Sequence, residues 1–127
     1  MNKSYNYKEF RIEILYEDSD IAILNKPYGL LTHKKNESDN SPNLQESLKY
    51  QFEIKDDENF KEGIVHRLDK DTSGIIIITK NRNSKNKFRE MFKNRSIKKN
   101  YLAFTYGLLN QNNFEINKNI SRKKMQR

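Results

Sequence analysis

Hydrophobic and polar positions alternate over the first part of the chain, which predicts β-structure there. Ile12, Ile14 and Tyr16 fall on one face of an extended segment, as in a half-buried strand. Turn-forming residues at 17–20 lead into a second apolar run at 21–24, so the two runs predict a hairpin. Residues 1–10 are polar and show no periodicity, and we expect them to form a loose lead.

Two later segments show the apolar spacing of helices. Ser41 and Pro42 predict the start of the first helix, because serine caps helix N-termini and proline suits the first turn. The apolar stripe of this helix consists of Leu44, Leu48 and Phe52. A second helix is predicted to begin at Asn83 or Ser84 and to end near Asn94. The side chains that we expect it to bury are Phe88, Met91 and Phe92.

Two further strands are predicted in the second half of the chain. Four isoleucines at 75–78 form an uninterrupted β-branched run, which predicts a strand buried on both faces. Residues 99–106 have the composition of another strand, which Gly107 ends. Strands and helices are thus mixed, and the hairpin favours antiparallel pairing. We therefore predict an α+β fold with a mixed, largely antiparallel sheet and flanking helices, of a size that suits one domain.

The charges are distributed unevenly along the chain. Residues 1–80 carry 12 Lys or Arg and 15 Asp or Glu, whereas residues 81–127 carry 13 Lys or Arg and only two Asp or Glu. A basic second half indicates a surface for a polyanion, of which nucleic acid is the most common. A solvated surface in a lysine- and asparagine-rich proteome explains the same charges equally well, so charge alone leaves both interpretations open.

Composition excludes several classes of protein. The chain has no cysteine, which rules out disulfides and thiolate metal sites and fits a cytoplasmic location. No segment approaches the ~20 apolar residues that a membrane span requires. The polar N-terminus lacks the apolar core of a secretory signal. The expectation is a cytoplasmic protein without a membrane partner.

The polar loop before the isoleucine run carries most of the candidate chemistry. Between His66 and Gly74 it contains two carboxylates, two cations, an imidazole and two hydroxyls. Arg67 and Lys70 lie close to Asp69 in sequence and favour its ionised form, while burial beside the strand opposes ionisation. A carboxylate in such a setting can act as a nucleophile or a base.

Three other interpretations of this loop have to be weighed. A structural salt-bridge cluster is the more common role of an Asp flanked by cations. A metal or nucleotide-sugar site at residues 69–71 is disfavoured, because adjacent positions in an extended chain face opposite ways and no carboxylate-rich strand accompanies them. A kinase catalytic loop needs Asp directly after His-Arg, where this chain has Leu68, so that interpretation is rejected.

Residues 63–74, with the sequence Gly-Ile-Val-His-Arg-Leu-Asp-Lys-Asp-Thr-Ser-Gly, resemble the signature of the RluA-type pseudouridine synthases. Three flanking segments support this resemblance. Residues 23–30 (Ile-Leu-Asn-Lys-Pro-Tyr-Gly-Leu) are similar to the family segment that precedes the signature. The segments 99–103 (Lys-Asn-Tyr-Leu-Ala) and 120–125 (Ile-Ser-Arg-Lys-Lys-Met) are similar to later ones, so the resemblance covers the chain from about Ile12 onward.

This resemblance implies a fold, an activity and three site residues. The fold is part of a pseudouridine synthase catalytic domain over 11–127, and the activity is isomerisation of uridine to pseudouridine in ribosomal or transfer RNA, with no cofactor and no metal. Asp69 corresponds to the essential catalytic aspartate. Tyr101 corresponds to the tyrosine that packs against the target base, and Arg67 to an arginine that helps hold the RNA with its uridine flipped out.

Members of the family continue past the segment at 120–125 into further strands of the same sheet. The resemblance therefore implies a catalytic domain incomplete at its C-terminus, with a second polypeptide as a possible complement. A non-catalytic RNA-binding remnant that uses residues 81–127 is the alternative function. A third possibility, an interaction protein whose acidic first half meets a basic partner, leaves the loop around Asp69 unexplained.

Overall fold

A computed structural model describes residues 3–54, 63–119 and 121. Four strands within these ranges form one sheet in the order β1-β2-β3-β4, and every neighbouring pair is antiparallel. The strands are β1 (Lys3–Tyr7), β2 (Phe10–Glu17), β3 (Ile21–Lys26) and β4 (Gly74–Thr79). With two helices, α1 (Leu44–Gln51) and α2 (Arg82–Lys93), they confirm the predicted α+β class and its antiparallel sheet.

The predicted hairpin is confirmed as β2 and β3. Asp18 closes its turn, because one carboxylate oxygen accepts hydrogen bonds from the backbone N–H groups of Asp20 and Ile21, both at 2.8 Å. Ile14 is buried as expected, but Tyr16 is 50% exposed. The pairing register shifts between these two residues, which turns the tyrosine away from the face that the alternation predicts.

The first residues of the chain form a strand rather than a loose lead. Lys3–Tyr7 pairs along its length with β2, so the expectation of a loose segment is wrong for these residues. The Tyr5 hydroxyl lies 3.2 Å from the Ser47 hydroxyl, and the Tyr7 hydroxyl donates to a Glu46 carboxylate oxygen at 2.7 Å. Because both partners belong to α1, these hydrogen bonds connect the edge strand to the helix.

The predicted domain boundary between residues 10 and 11 stays a prediction.

Helix α1 covers one face of the sheet with the predicted apolar stripe. Leu44, Leu48 and Phe52 are all buried among residues of β2, β3 and β4. Burying a leucine side chain contributes about 1.5–3 kcal/mol, so this stripe is the main attachment of the helix. The helix begins later than predicted, because Asn43 is the capping residue and its side chain accepts a hydrogen bond from the Glu46 N–H at 2.9 Å.

Strand β4 is buried on one face only, contrary to the prediction. Ile76 and Ile78 are fully buried against α1, whereas Ile75 is 63% exposed and Ile77 is half-buried. The opposite face of the strand is covered only in part. An uninterrupted run of isoleucines is therefore compatible with a strand that has one covered face.

Helix α2 follows β4 and is also displaced from its predicted start. Its capping residue is Asn81, whose side chain accepts a hydrogen bond from the Ser84 N–H at 2.9 Å, so neither Asn83 nor Ser84 caps the helix. The predicted stripe is half-buried rather than buried, and the buried side chains of α2 are Ser84 and Lys85. The helix thus lies against the sheet mainly through its first turn.

The strand predicted over residues 99–106 is absent, and this segment has no regular secondary structure. In this segment and in the residues that follow it, the exposed large apolar side chains are Tyr101, Leu102, Phe104, Tyr106, Leu108, Leu109, Phe114 and Ile116. Residues 55–62 lie outside the described residues, as does the segment 120–125 except for Ser121. Among the described residues, no helix has both the length and the apolar character needed to cross a bilayer.

Candidate active site

The loop 66–73 precedes β4 and turns one apolar side chain into the interior. Leu68 is buried, while its neighbours Arg67 and Asp69 are exposed. The Asp69 carbonyl accepts a hydrogen bond from the Thr72 N–H at 3.1 Å, which closes a turn directly after the aspartate. The buried leucine therefore anchors the loop, and the carboxylate of Asp69 remains accessible.

The residue before Asp69 is held by a buried threonine. The Thr32 hydroxyl donates to the Leu68 carbonyl at 2.6 Å and accepts from the Leu68 N–H at 3.2 Å. Both polar groups of the Leu68 backbone are thereby satisfied in the interior, where an unpaired group costs about 1–3 kcal/mol. Thr32 connects the loop to the segment that joins β3 to α1.

The residue after Asp69 is held by a buried lysine and a glycine. The Lys70 carbonyl accepts from the Gly29 N–H at 2.9 Å and from the Lys26 ammonium at 3.3 Å. Gly29 has φ +84°, a conformation that glycine adopts without strain, so the chain can turn its N–H towards the loop.

Lys26 is fully buried although it carries an ammonium group. The ammonium donates to three carbonyls, those of Leu30 at 2.7 Å, Pro27 at 3.1 Å and Lys70 at 3.3 Å. Burial lowers the pKa of Lys26 from its ordinary value, while the charges of Asp71 and Asp69 act in the opposite direction. A cation beneath the loop therefore attracts the carboxylates above it.

His66 attaches the start of the loop to β4. The Ile77 N–H donates to His66 Nε2 at 2.8 Å, and the imidazole stacks on Phe92 of α2 with the ring centres 4.6 Å apart. Because Nε2 accepts this bond, the neutral ring carries its proton on Nδ1. Burial, with a smaller effect of the Lys99 charge, lowers the pKa of His66 to about 4.

A cavity of about 650 Å³ lies beside the loop, and Tyr101 forms part of its wall. Its walls come from the loop, β4, α2 and residues 97–104; among them are Asp71, Thr72, Phe92, Lys99 and Tyr101. Asp69 and Arg67 are not among the lining residues. Of the three predicted site residues, the structure thus places Tyr101 in the cavity wall and the other two on the exposed loop beside it.

A basic segment borders this cavity. Residues 82–99 contain eight Lys or Arg and one Glu, and Lys98 and Lys99 line the cavity itself. The Lys99 ammonium lies 5.8 Å from the centre of the Phe92 ring, within range of a cation–π contact. The surface next to the loop therefore combines positive charge with aromatic rings, the chemistry that suits nucleic acid.

Sequence reasoning missed the residues that support the loop from below. Lys26 and Gly29 belong to the segment 23–30, which carries part of the family resemblance, but no role was expected for them or for Thr32. Their partners in the loop lie 36 to 44 positions away in sequence, so local spacing gives no signal for these contacts. In the described part of the chain, no three His, Asp or Glu side chains converge as a metal site requires.

Comparisons with known proteins identify the family of the chain. The RNA pseudouridylate synthase family matches residues 20–127. Ribosomal large subunit pseudouridine synthase D of Borreliella burgdorferi is 40% identical over 105 residues, and synthase C of Rickettsia bellii is 40% identical over 111 residues. These alignments cover 78% and 87% of this chain but only 31% and 35% of the relatives, so the chain spans about a third of their length.

A solved structure supports the fold as well. The human RNA pseudouridylate synthase domain containing 4 aligns with a TM-score of 0.50 and 26% identity, over 65% of this chain and 30% of the human one. The family match extends across the loop around Asp69 and over the basic segment. The predicted resemblance to RluA-type enzymes is confirmed, and the chain belongs to the RNA pseudouridylate synthase family.

Proposed function

We propose that this chain forms part of the catalytic domain of an RNA pseudouridine synthase, an isomerase that converts uridine to pseudouridine. One observation carries the proposal: Asp69 is exposed on a loop whose backbone is fixed on both sides of it by buried hydrogen bonds. Active-site groups need such preorganisation, because catalysis depends on holding the reacting group in place. Two relatives are named for the ribosomal large subunit, which supports ribosomal RNA ahead of transfer RNA.

The reaction accounts for the type of residue at the site. Uridine loses its N1–C1′ bond, the base turns, and C5 joins C1′, so no electrons are gained or lost and no cofactor is needed. Asp69 acts either as a nucleophile on C1′ or as a base on the ribose, and both roles require a carboxylate that the substrate can reach. The exposed position of Asp69 meets that requirement.

RNA contacts are assigned to the surface around the cavity. The target base has to leave its stack, at a cost of a few kcal/mol. Tyr101 in the cavity wall offers a ring for stacking, which contributes about 1–3 kcal/mol per base. Arg67 on the exposed loop and the basic segment 82–99 supply cations for phosphates, and such contacts give most of the salt-dependent affinity.

A second polypeptide, or a further part of the same protein, completes the domain in this proposal. The apolar side chains exposed between Tyr101 and Ile116 form a surface of the kind that another protein segment covers. Relatives of this chain are about three times its length, so they contain enough additional sequence to provide such a cover.

An RNA substrate also favours a cytoplasmic location, which cell fractionation tests directly.

The decisive experiment compares wild-type chain with Asp69→Asn in a tritium-release assay on uridine-labelled ribosomal RNA. We expect the variant to bind RNA with the wild-type salt dependence and to form no pseudouridine, because the amide can serve neither as nucleophile nor as base. The assay is run with and without the polypeptide that corresponds to the rest of a relative. Wild-type turnover by Asp69→Asn refutes the role of Asp69, and equal turnover without the added polypeptide refutes the need for a complement.

A non-catalytic RNA-binding protein is the second candidate, and the basic segment 82–99 is the observation that favours it. That protein would bind RNA with a strong salt dependence and form no pseudouridine under either condition. Product formation by the wild-type chain in either arm of the assay excludes this candidate.

A further inference from the structure

We propose that Thr32 is a positioning residue for Asp69, acting through the backbone of Leu68. The inference rests on the proposed catalytic role of Asp69, and Thr32 itself does not touch the substrate. Thr32 is 2% exposed, and its hydroxyl both donates to the carbonyl and accepts from the N–H of one residue, Leu68. Two bonds to one residue fix its orientation as well as its position.

Thr32 can act in this way because it is itself held rigidly. Its carbonyl accepts a hydrogen bond from the Gln45 N–H at 3.1 Å, and the Leu31 carbonyl accepts one from the Leu44 N–H at 2.7 Å. These donors belong to the first turn of α1, whose leucines lie in the core. A β-branched side chain also has few rotamers, so the hydroxyl has little freedom to leave Leu68.

The other neighbour of Asp69 is restrained independently. Lys70 is bound through its carbonyl to Gly29 and Lys26, and the Asp69 carbonyl is bound to Thr72 in the following turn. Loss of the Thr32 hydroxyl therefore releases only one side of the aspartate. We expect the loop to remain in place overall while the direction of the Asp69 side chain becomes less well defined.

The test variant is Thr32→Val, which keeps the branched shape and removes the hydroxyl. A displacement of about 1 Å at a reacting group can cost about 100-fold in rate, so we expect kcat to fall by about 10- to 100-fold. KM should change less than kcat, because the RNA contacts assigned to Tyr101 and the basic segment lie outside the released part of the loop. Thr32→Ser retains the hydroxyl and should recover most of the lost kcat.

Thr79→Val is the matched control. Thr79 is also a buried threonine, and its hydroxyl donates to the Gly63 carbonyl at 3.0 Å, at the end of β4 away from the loop. Both variants lose one buried hydroxyl, so a general loss of stability affects both. Only Thr32→Val should lower kcat, whereas Thr79→Val should keep kcat within about 2-fold of wild type.

Amide hydrogen exchange at Leu68 tests the restraint by Thr32 independently of pseudouridine formation. Hydrogen exchange followed by NMR should show faster exchange of the Leu68 amide in Thr32→Val than in wild type, Thr32→Ser or Thr79→Val. Unchanged Leu68 exchange overturns the proposed restraint, and faster exchange with unchanged kcat overturns its role in positioning Asp69. If the wild-type protein forms no pseudouridine in either arm of the activity assay, the proposed function fails, and exchange at Leu68 alone decides on the restraint by Thr32.

Discussion

His66 should make this fold sensitive to acid well above the pH at which most carboxylates are protonated. The bond from the Ile77 N–H to Nε2 requires a neutral imidazole, because the protonated ring carries hydrogen on both nitrogens and accepts at neither. Protonation in the folded protein therefore removes this bond to β4 and places a charge against the ring of Phe92.

The sign of the effect follows from the direction of the pKa shift. Burial first, and the charge of Lys99 second, lower the pKa of His66 from 6.5 to about 4 in the folded protein. As the pH falls below 6.5, the unfolded chain therefore takes up the proton and the folded chain does not. The contribution of His66 to stability is complete above pH 6.5 and is lost as the pH falls towards 4.

The magnitude can be bounded from the same shift. Each pH unit over which only the unfolded chain is protonated changes the free energy of unfolding by about 1.4 kcal/mol, which sets an upper limit of about 3.5 kcal/mol for this shift. The ring is only partly buried, so solvent screening reduces the effect. We expect a loss of about 1–2 kcal/mol between pH 7 and pH 4.5.

Urea unfolding of wild type and His66→Gln at the two pH values measures this quantity. Glutamine does not titrate, and its carboxamide oxygen can still accept from the Ile77 N–H. Carboxylate titration affects both proteins alike, so the wild type should lose about 1–2 kcal/mol more than the variant. His33→Gln removes the other histidine and separates its contribution from that of His66. An NMR titration midpoint of His66 at or above 6, or equal losses in wild type and His66→Gln, refutes the reasoning.

Two further predictions concern the helices. Asn81→Ala removes the cap bond from the Ser84 N–H and should lower the free energy of unfolding by about 1 kcal/mol, whereas Asn86→Ala on the exposed surface of α2 should change it by less than about 0.5 kcal/mol in urea titrations. Leu48→Ala empties a fully buried position and should cost about 2–5 kcal/mol, while Tyr50→Ala on the exposed side of α1 should have little effect in the same measurement.

The parts of the fold that local periodicity determines were predictable. Ile12 and Ile14 on β2 and the stripe of α1 are buried as their spacing indicates, because each pattern has a clear apolar face. Strand β1 was missed although Tyr5 and Tyr7 alternate with polar residues, since two aromatic residues in a polar stretch are a weak signal. Helix starts were misplaced because Asn43 and Asn81 compete with nearby serines and asparagines as caps.

Burial that depends on distant elements could not be predicted in this way. The isoleucine run of β4 has the same sequence whether one face or both faces are covered, so the local pattern could not show that Ile75 is exposed. The segment 99–106 has strand composition, yet it lacks a described strand to pair with and has no regular structure. Strand propensity is expressed only where a partner edge is present.

The sequence identified Asp69 through its motif but gave no indication of how the loop is immobilised. In the role proposed for Asp69 the carboxylate has to be accessible to the substrate, and its exposed side chain is not fixed by packing in the core. The restraint has to come through the backbone on either side, which is where Thr32, Gly29 and Lys26 make their contacts. The alternation of exposed Arg67, buried Leu68 and exposed Asp69 fits the same proposal, because the leucine anchors the loop while both neighbours stay exposed.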